Sequence, residues 1–246
     1  DERGARPPEG SRVIPTSIIV GGHLPHAAGI ALAAKIKGEK NAVLSSSGGG
    51  STSQGDFHEA LNFAGVNRLP VVFAIQNNGW AISMPAARQT ATATIAEKAA
   101  AYGITGLRVD GNDVYAVYLT VKRLLDEARD SFSPALVELV TYRVDDHTTS
   151  DDAKRYRPDE LVAPWRAKDP IDRLRKRLNA AHGWDDAKDA AFAGEVAAEV
   201  ERAVREFEAN PAPPPGQVFE HIYAEPPWNL REQREEVLAR HGGAKG

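Results

Sequence analysis

Apolar runs that alternate with stretches of helical character limit this chain to few architectures. Asn41–Ser46 (NAVLSS), Leu69–Gln76 (LPVVFAIQ) and Pro134–Tyr142 (PALVELVTY) are aliphatic and short. Runs that are apolar throughout, rather than at every second residue, suit strands buried on both faces. Gly106–Asp110 reads as a shorter strand of the same set. Between the runs lie helices. Pro25 opens HAAGIALAAKIKGEK, with apolar positions at Ile30, Ala33, Ala34 and Ile36. Asp56 followed by Glu59 makes a capping box for DFHEALNFAGV. Thr94–Tyr102 is helical and stops at Gly103. Asn112–Arg129 carries a stripe of Val114, Val117, Tyr118, Val121, Leu124, Leu125 and Ala128. The implied fold is α/β, a mostly parallel sheet with helices on both faces.

The flanks differ in character. Residues 1–12 are polar and read as a flexible tail. Residues 145–169 are charged without a clear period and read as a long loop, followed by surface helices at Pro170–Ala181 and Asp185–Phe207. ANPAPPPGQ (209–217) is an extended linker. The expected division is therefore a tail at 1–12, a main domain at 13–208, and a Pro-rich linker with a helical, extended interface segment at 209–246.

Composition closes several routes to function. The chain has 246 residues and no Cys. That excludes disulfide scaffolds, Cys-ligated zinc, iron–sulfur clusters and thiol nucleophiles. A net charge of −4 argues against a nucleic-acid-binding face. No apolar run approaches the roughly 18 residues of a membrane span. The N-terminal DERGARPP has no signal-peptide pattern, so a cytoplasmic protein is the expectation.

In an open parallel sheet, ligands bind beyond the carboxyl ends of strands. The first apolar run ends in Gly48-Gly49-Gly50-Ser51-Thr52-Ser53 and leads into a helix. Glycines let backbone N–H groups approach a phosphate, although such a loop is also an ordinary connector. The second run ends in Asn77-Asn78-Gly79-Trp80. Asn oxygens and backbone carbonyls are hard donors suited to Mg²⁺, although Asn-Asn-Gly is also common turn chemistry. His23 and His26 read as capping or packing groups and His58 as surface. Trp165, Trp184 and Trp228 read as packing anchors, and Arg173–Arg177 as a solvated helix face.

Taken together, GGGSTSQGDFHEALNFAGVNRLPVVFAIQNNGWAIS resembles the thiamine diphosphate motif of 2-oxo acid dehydrogenases. The likeness is to the alpha subunit of their first, decarboxylating component. It continues through GGHLPHAAGIALAAK, RQTATATIAEKAAAYGI, RVDGNDVYAVY, HTTSDD, RYR and YAEPPWNLREQ, covering the chain from about Val13. The branched-chain type is favoured and the pyruvate type comes next. The resemblance makes residues 13–208 a thiamine-diphosphate-binding domain. It puts Gly48, Gly49, Gly50 and Ser51 against the diphosphate, and Val20 and Ile82 against the cofactor's rings. It makes the Asn78 side chain and the Trp80 carbonyl ligands of Mg²⁺. Ser17, Gly22 and His23 match positions where some members hold K⁺. His147 matches a catalytic histidine beside the reacting substrate, a role imidazole suits near neutral pH.

Further implications concern partners. The resembled alpha chains work with a beta subunit as a heterotetramer of two alpha and two beta chains. They oxidatively decarboxylate a 2-oxo acid and pass the acyl group to the lipoyl arm of an acyltransferase component. Neither nucleic acid nor membrane enters this reading. The setting is the bacterial cytoplasm or the mitochondrial matrix. The sequence also departs from the pattern. Gly49 stands where the motif has Asp, and Ser47 where an aromatic is usual. Asp145-Asp146 precede His147 where the family has Gly followed by Pro or His. With Asp151 and Asp152, they put carboxylates on both sides of the imidazole. A missing motif carboxylate leaves a second function open, a structural subunit impaired in cofactor binding. Asp56 is the nearby acid that could stand in, against its simpler role as a helix cap.

Overall fold

The computed structural model describes Gly10, residues 12–14 and residues 18–241. Nearly all of the tail expected at 1–12 lies outside that range. The chain divides into two compact units, Asp1–Trp184 and Asp185–Gly246. The Pro-rich segment 209–217 falls within the second unit.

The first unit is built on a parallel sheet of β1 (Val43–Gly48), β2 (Val71–Asn77), β6 (Ala135–Val140) and β5 (Thr105–Asp110), in that spatial order. Each apolar run of the sequence becomes one of these strands. Alternation along β2 separates two cores. Phe73 and Ile75 point to one face, where α1 (His23–Ile36), α2 (Gly55–Asn67) and the 3₁₀ helix Ala96–Tyr102 cover them. Val72 and Ala74 point to the other, where Leu124 and Ala128 of α3 (Val114–Ser131) pack. β2 is buried along Val71–Ile75, as a strand covered on both faces must be. A small antiparallel pair, β3 (Trp80–Ala81) and β4 (Met84–Pro85), follows β2.

Several local expectations are corrected. The buried face of α1 is Leu24, Ala27, Ala28, Ala31 and Ala34, while Ile30 and Ile36 are exposed. The helix starts at His23, and alanines let it lie close to α2 and the sheet. The glycine-rich stretch after the first apolar run is not a plain connector: β1 runs to Gly48 and a 3₁₀ helix spans Gly49–Ser53. The Ser51 and Thr52 hydroxyls donate to the Gly48 and Gly49 carbonyls (2.7 and 2.8 Å), which winds this segment. Asp56 does not cap α2. Gln54 occupies the N-cap without a side-chain bond, and Asp56 sits in the first turn, where its charge complements the helix dipole. Residues 145–169 contain a 3₁₀ turn, Ala153–Arg155, and α4 (Asp159–Arg166). A helix this short, with Pro164 inside it, leaves no readable period in the sequence. On α3 the cap is Asp113, accepting from the Tyr115 and Ala116 amides, and Val114 and Tyr118 are exposed.

α5 (Pro170–His182) completes the first unit, with Asp169 as its N-cap. The second unit holds α6 (Asp186–Glu208), a 3₁₀ turn at Pro215–Phe219 and α7 (Trp228–His241). The apolar stripe Val196, Val200, Val204 and Phe207 on α6 is exposed.

Candidate functional site

β1 and β2 pair in register from Val43↔Val71 to Gly48↔Gln76, so their carboxyl ends lie side by side. The glycine loop and the Asn turn therefore face each other. A Cβ at Gly50 would lie 2.9 Å from that of Ala81, so a larger residue there would push the two loops apart. Asn77 and Asn78 each fold back on the chain: Asn77 Oδ1 accepts from the Gly79 amide and Asn78 Oδ1 from the Trp80 amide, both at 3.1 Å. Gly79 takes φ +83°, a left-handed conformation that glycine adopts without strain. The tip of the β3–β4 hairpin is Ile82, at φ +53°. A β-branched residue there is strained, and such strain is held only where surroundings enforce it. Part of the enforcement is Arg143, whose Nη2 donates to the Ile82 carbonyl at 2.9 Å. The residues after β6 lock the turn from the other side: the Thr141 and Arg143 amides donate to the Asn77 and Asn78 carbonyls.

Beneath the turn lies a buried acid. Glu138 of β6 is 1% exposed. It accepts from Asn77 Nδ2 at 2.7 Å and from the Ala96 amide at 3.0 Å, with Arg108 Nε 3.9 Å away. A cavity of about 390 Å³ opens above, lined by Gly49, Asn77, Trp80, Gln89, Thr92 and Ile95 among others.

The other side of the site begins with Val20. It is 58% exposed and precedes Gly21, whose Cβ position would be 3.3 Å from the Gln54 side chain and 3.8 Å from the Ser51 carbonyl. Val20 thus neighbours a residue set against the end of the glycine loop, while Ile82, 57% exposed, stands at the tip of the hairpin that meets that loop. Both offer bare apolar surface. His23 Nε2 bonds the Ser46 carbonyl at 3.0 Å and the Gly22 amide donates to Ile19; Ser17 lies outside the described residues.

His147 sits on an exposed loop, and its ring has no hydrogen bond among the described residues. The loop itself is well tied. Asp151 accepts from the His147 amide at 2.8 Å and from the Tyr156 hydroxyl at 2.5 Å. Asp146 accepts from the Ala153 amide, and Arg157, itself buried, donates to the Arg143, Val144 and Asp145 carbonyls. The carboxylates around His147 thus hold backbone and side chains in place. Tyr156 connects this loop to the turn: its hydroxyl accepts from Arg143 at 2.5 Å, and its ring lies 5.5 Å from that of Trp80. The Tyr156 hydroxyl and the His147 amide hold the Asp151 carboxyl below the usual carboxylate range. Sequence reasoning names His147 and the nearby Asp151 and misses the other supports, Arg143, Tyr156 and Arg157. Only the RYR match points toward the last two.

The donor set distinguishes what the site can hold. Gly48, Gly49 and Gly50 present backbone with no side chain in the way, which suits a diphosphate. A divalent metal is served less well. Asn78 and the Trp80 carbonyl are neutral, Gly49 has no side chain, and Glu138 already meets donors. Among the described residues, no group of three or more His, Cys, Asp or Glu could hold a metal. The chain as it stands fits a diphosphate and lacks the carboxylate that Mg²⁺ ordinarily takes from a protein. Asp56 is half-buried in the first turn of α2, without a hydrogen bond among the described residues.

Comparison with known proteins agrees with this geometry. A family model described as the dehydrogenase E1 component matches residues 2–216. The chain is 41% identical over 238 residues to a pyruvate dehydrogenase E1 component subunit alpha of Acholeplasma laidlawii, covering 96% of this chain and 69% of that protein. It is 45% identical over 228 residues to a 3-methyl-2-oxobutanoate dehydrogenase subunit alpha of Mycobacterium tuberculosis, covering 92% and 61%. A pyruvate dehydrogenase E1 component subunit alpha of Staphylococcus aureus is 39% identical over 234 residues, covering 95% and 63%. The chain thus spans between 61% and 69% of the length of these relatives. Matched over most of its length, the chain belongs to the dehydrogenase E1 component family, with alpha subunits of 2-oxo acid dehydrogenases as its relatives.

Proposed function

We propose that this chain is the alpha subunit of a 2-oxo acid dehydrogenase that holds the diphosphate end of thiamine diphosphate. The observation that carries the proposal is the contact between the glycine loop and the Asn hairpin at the carboxyl ends of adjacent parallel strands. When bound, thiamine diphosphate supplies the electron sink for loss of carbon dioxide from the 2-oxo acid. The chain's own residues bind and orient. Gly48, Gly49, Gly50 and Ser51 would hold the diphosphate, and Val20 and Ile82 would cover the rings. Asn78 and the Trp80 carbonyl would be the neutral oxygen donors available to a metal. His147 moves a proton at the substrate, on a loop fixed by Asp151 and Tyr156. A beta subunit completes the site and a lipoyl-bearing acyltransferase takes the acyl group. The branched-chain substrate class is supported by the 45% identity to the M. tuberculosis protein, against 41% and 39% to the pyruvate enzymes.

A second reading has its own observation. Gly49 removes the protein carboxylate from the metal side, which favours an assembled subunit with impaired cofactor binding. One titration separates the two: thiamine diphosphate with Mg²⁺, followed by calorimetry, into the chain assembled with its beta partner. Metal-dependent heat supports the first reading, and an intact assembly without heat supports the second. Turnover of 2-oxoisovalerate against pyruvate then assigns the substrate. In an active assembly, His147→Ala lowers kcat by about 100-fold or more and leaves cofactor affinity within about threefold. Equal loss of both would assign His147 to folding instead.

A further inference from the structure

We infer that Glu138 is a positioning residue that sets the orientation of the Asn77 amide, and through it the Asn78–Trp80 turn. The inference rests on the cofactor reading above only for its consequence in binding. Its geometry is independent of it.

Glu138 lies on β6 opposite Arg108 of β5 and Ile75 of β2. It faces the side of the sheet that carries Phe73, Ile75 and Leu136, an otherwise apolar core. A carboxylate buried there is costly unless its oxygens are matched by donors. Both are matched: Oε1 by Asn77 Nδ2 at 2.7 Å, Oε2 by the Ala96 amide at 3.0 Å. Arg108, on the neighbouring strand, adds a positive charge at 3.9 Å. The arrangement is directional. Because Glu138 only accepts, Asn77 must turn its NH₂ group downward, which leaves Oδ1 upward for the Gly79 amide. That bond shapes the turn that carries Asn78 and Trp80, in which Asn78 Oδ1 accepts from the Trp80 amide. The same carboxylate also ties down the start of the 3₁₀ helix Ala96–Tyr102, which follows the cavity-lining residues 92–95. One buried acid thus links the Asn turn to the opposite wall of the cavity.

The logic of donors and acceptors supplies a test. Glu138→Gln brings an NH₂ group to a place where every neighbour donates. Whichever way its amide turns, either Asn77 or Ala96 meets a donor. Asn77→Asp makes the converse conflict, oxygen against oxygen at 2.7 Å. The double variant restores every bond. The amide introduced at position 138 donates to the carboxylate introduced at position 77 and accepts from Ala96, with the total charge unchanged.

Amide exchange at Gly79 and Trp80 reads the turn without any cofactor. Each single variant should speed exchange at Gly79 by about tenfold or more, and the double variant should return it to within about threefold of the starting protein. Calorimetric titration of thiamine diphosphate with Mg²⁺ into the assembled protein reads the consequence, with about a tenfold or larger loss in each single variant and recovery in the double. Unchanged exchange at Gly79 in Glu138→Gln overturns the inference, as does a double variant no better than the worse single one. Changed exchange in an assembly whose starting protein takes up no cofactor overturns the cofactor reading and leaves the positioning role standing.

Discussion

Gly49 is the residue on which the chemistry turns. Its missing side chain leaves room: a Cβ there would meet Asn77 Oδ1 at 3.7 Å and Ile95 at 3.8 Å, ordinary contact distances. A carboxylate at this position would join the neutral oxygens of Asn78 and Trp80, giving a hard cation the anionic ligand it ordinarily takes from a protein. Gly49→Asp should therefore raise metal-dependent affinity for thiamine diphosphate by about tenfold or more, read by calorimetry at fixed Mg²⁺. The gain should vanish when the metal is chelated. An equal gain without metal would mean that the introduced carboxylate acts on the loop and not on the cation. Gly50 behaves oppositely despite being its neighbour, because its Cβ would strike Ala81 at 2.9 Å. The sequence shows these as identical glycines, and only the pairing of β1 with β2 tells them apart.

At the scale of elements, close packing of α2 depends on Gly65. A Cβ there would lie 2.2 Å from the Tyr102 carbonyl oxygen, so the helix and the 3₁₀ segment could not keep their separation. Gly65→Ala gains about 1 kcal/mol of helix propensity but forces a backbone shift of about 3 kcal/mol. A net loss of about 2 kcal/mol should appear in urea denaturation; an unchanged midpoint would show that the two segments separate at no cost. The His147 loop gives a second prediction. The Tyr156 hydroxyl and the His147 amide lower the Asp151 pKa, so the folded form prefers the carboxylate. A lowered folded pKa stabilises above the ordinary carboxylate pKa, and the contribution is lost as pH falls through the folded value. The Asp151 carboxyl carbon resonance should therefore keep its ionised position from neutral pH down through the ordinary carboxylate range and move only in stronger acid. A transition above about pH 5 would contradict this arrangement.

These elements also show what a sequence can reveal. The strands are legible because burial on both faces demands continuous apolar runs, and β2 obeys that at Val71–Ile75. The site's two loops are legible because the glycines and asparagines sit at strand ends. The α4 helix is not, since Pro164 and its short length erase the period. Nor is the role of Glu138, one acid in an apolar strand, because its donors come from positions 77 and 96 and meet only in the fold. The pattern at Asp56 misleads for a related reason. The box is present in the sequence but unmade in the fold, where Gln54 is the N-cap and the helix begins at Gly55, ahead of Asp56.

At the scale of the whole molecule, the proposed function makes the chain a binding surface with His147 as its proposed proton-transfer group. Glu138 is committed to Asn77 and Ala96, and Asp151 to Tyr156 and His147. Val20 and Ile82, the residues assigned to the cofactor's rings, stand more than half exposed. A ring seated only on these residues would keep one side in water, where developing charge gains little from preorganised groups. The proposed beta subunit would cover that side and bring a group able to exchange a proton with the cofactor. The chain by itself should then bind thiamine diphosphate weakly, if at all, and release no carbon dioxide from 2-oxoisovalerate or pyruvate. Adding the beta chain should raise turnover from background by at least about a hundredfold while tightening cofactor binding, since it closes the apolar face. Measuring carbon dioxide release against increasing beta chain at constant alpha chain checks this directly. The curve should saturate at equal numbers of the two chains. Full activity from the alpha chain alone would mean that the exposed face of Val20 and Ile82 is closed from within the chain, and that the acid–base group lies among its own residues.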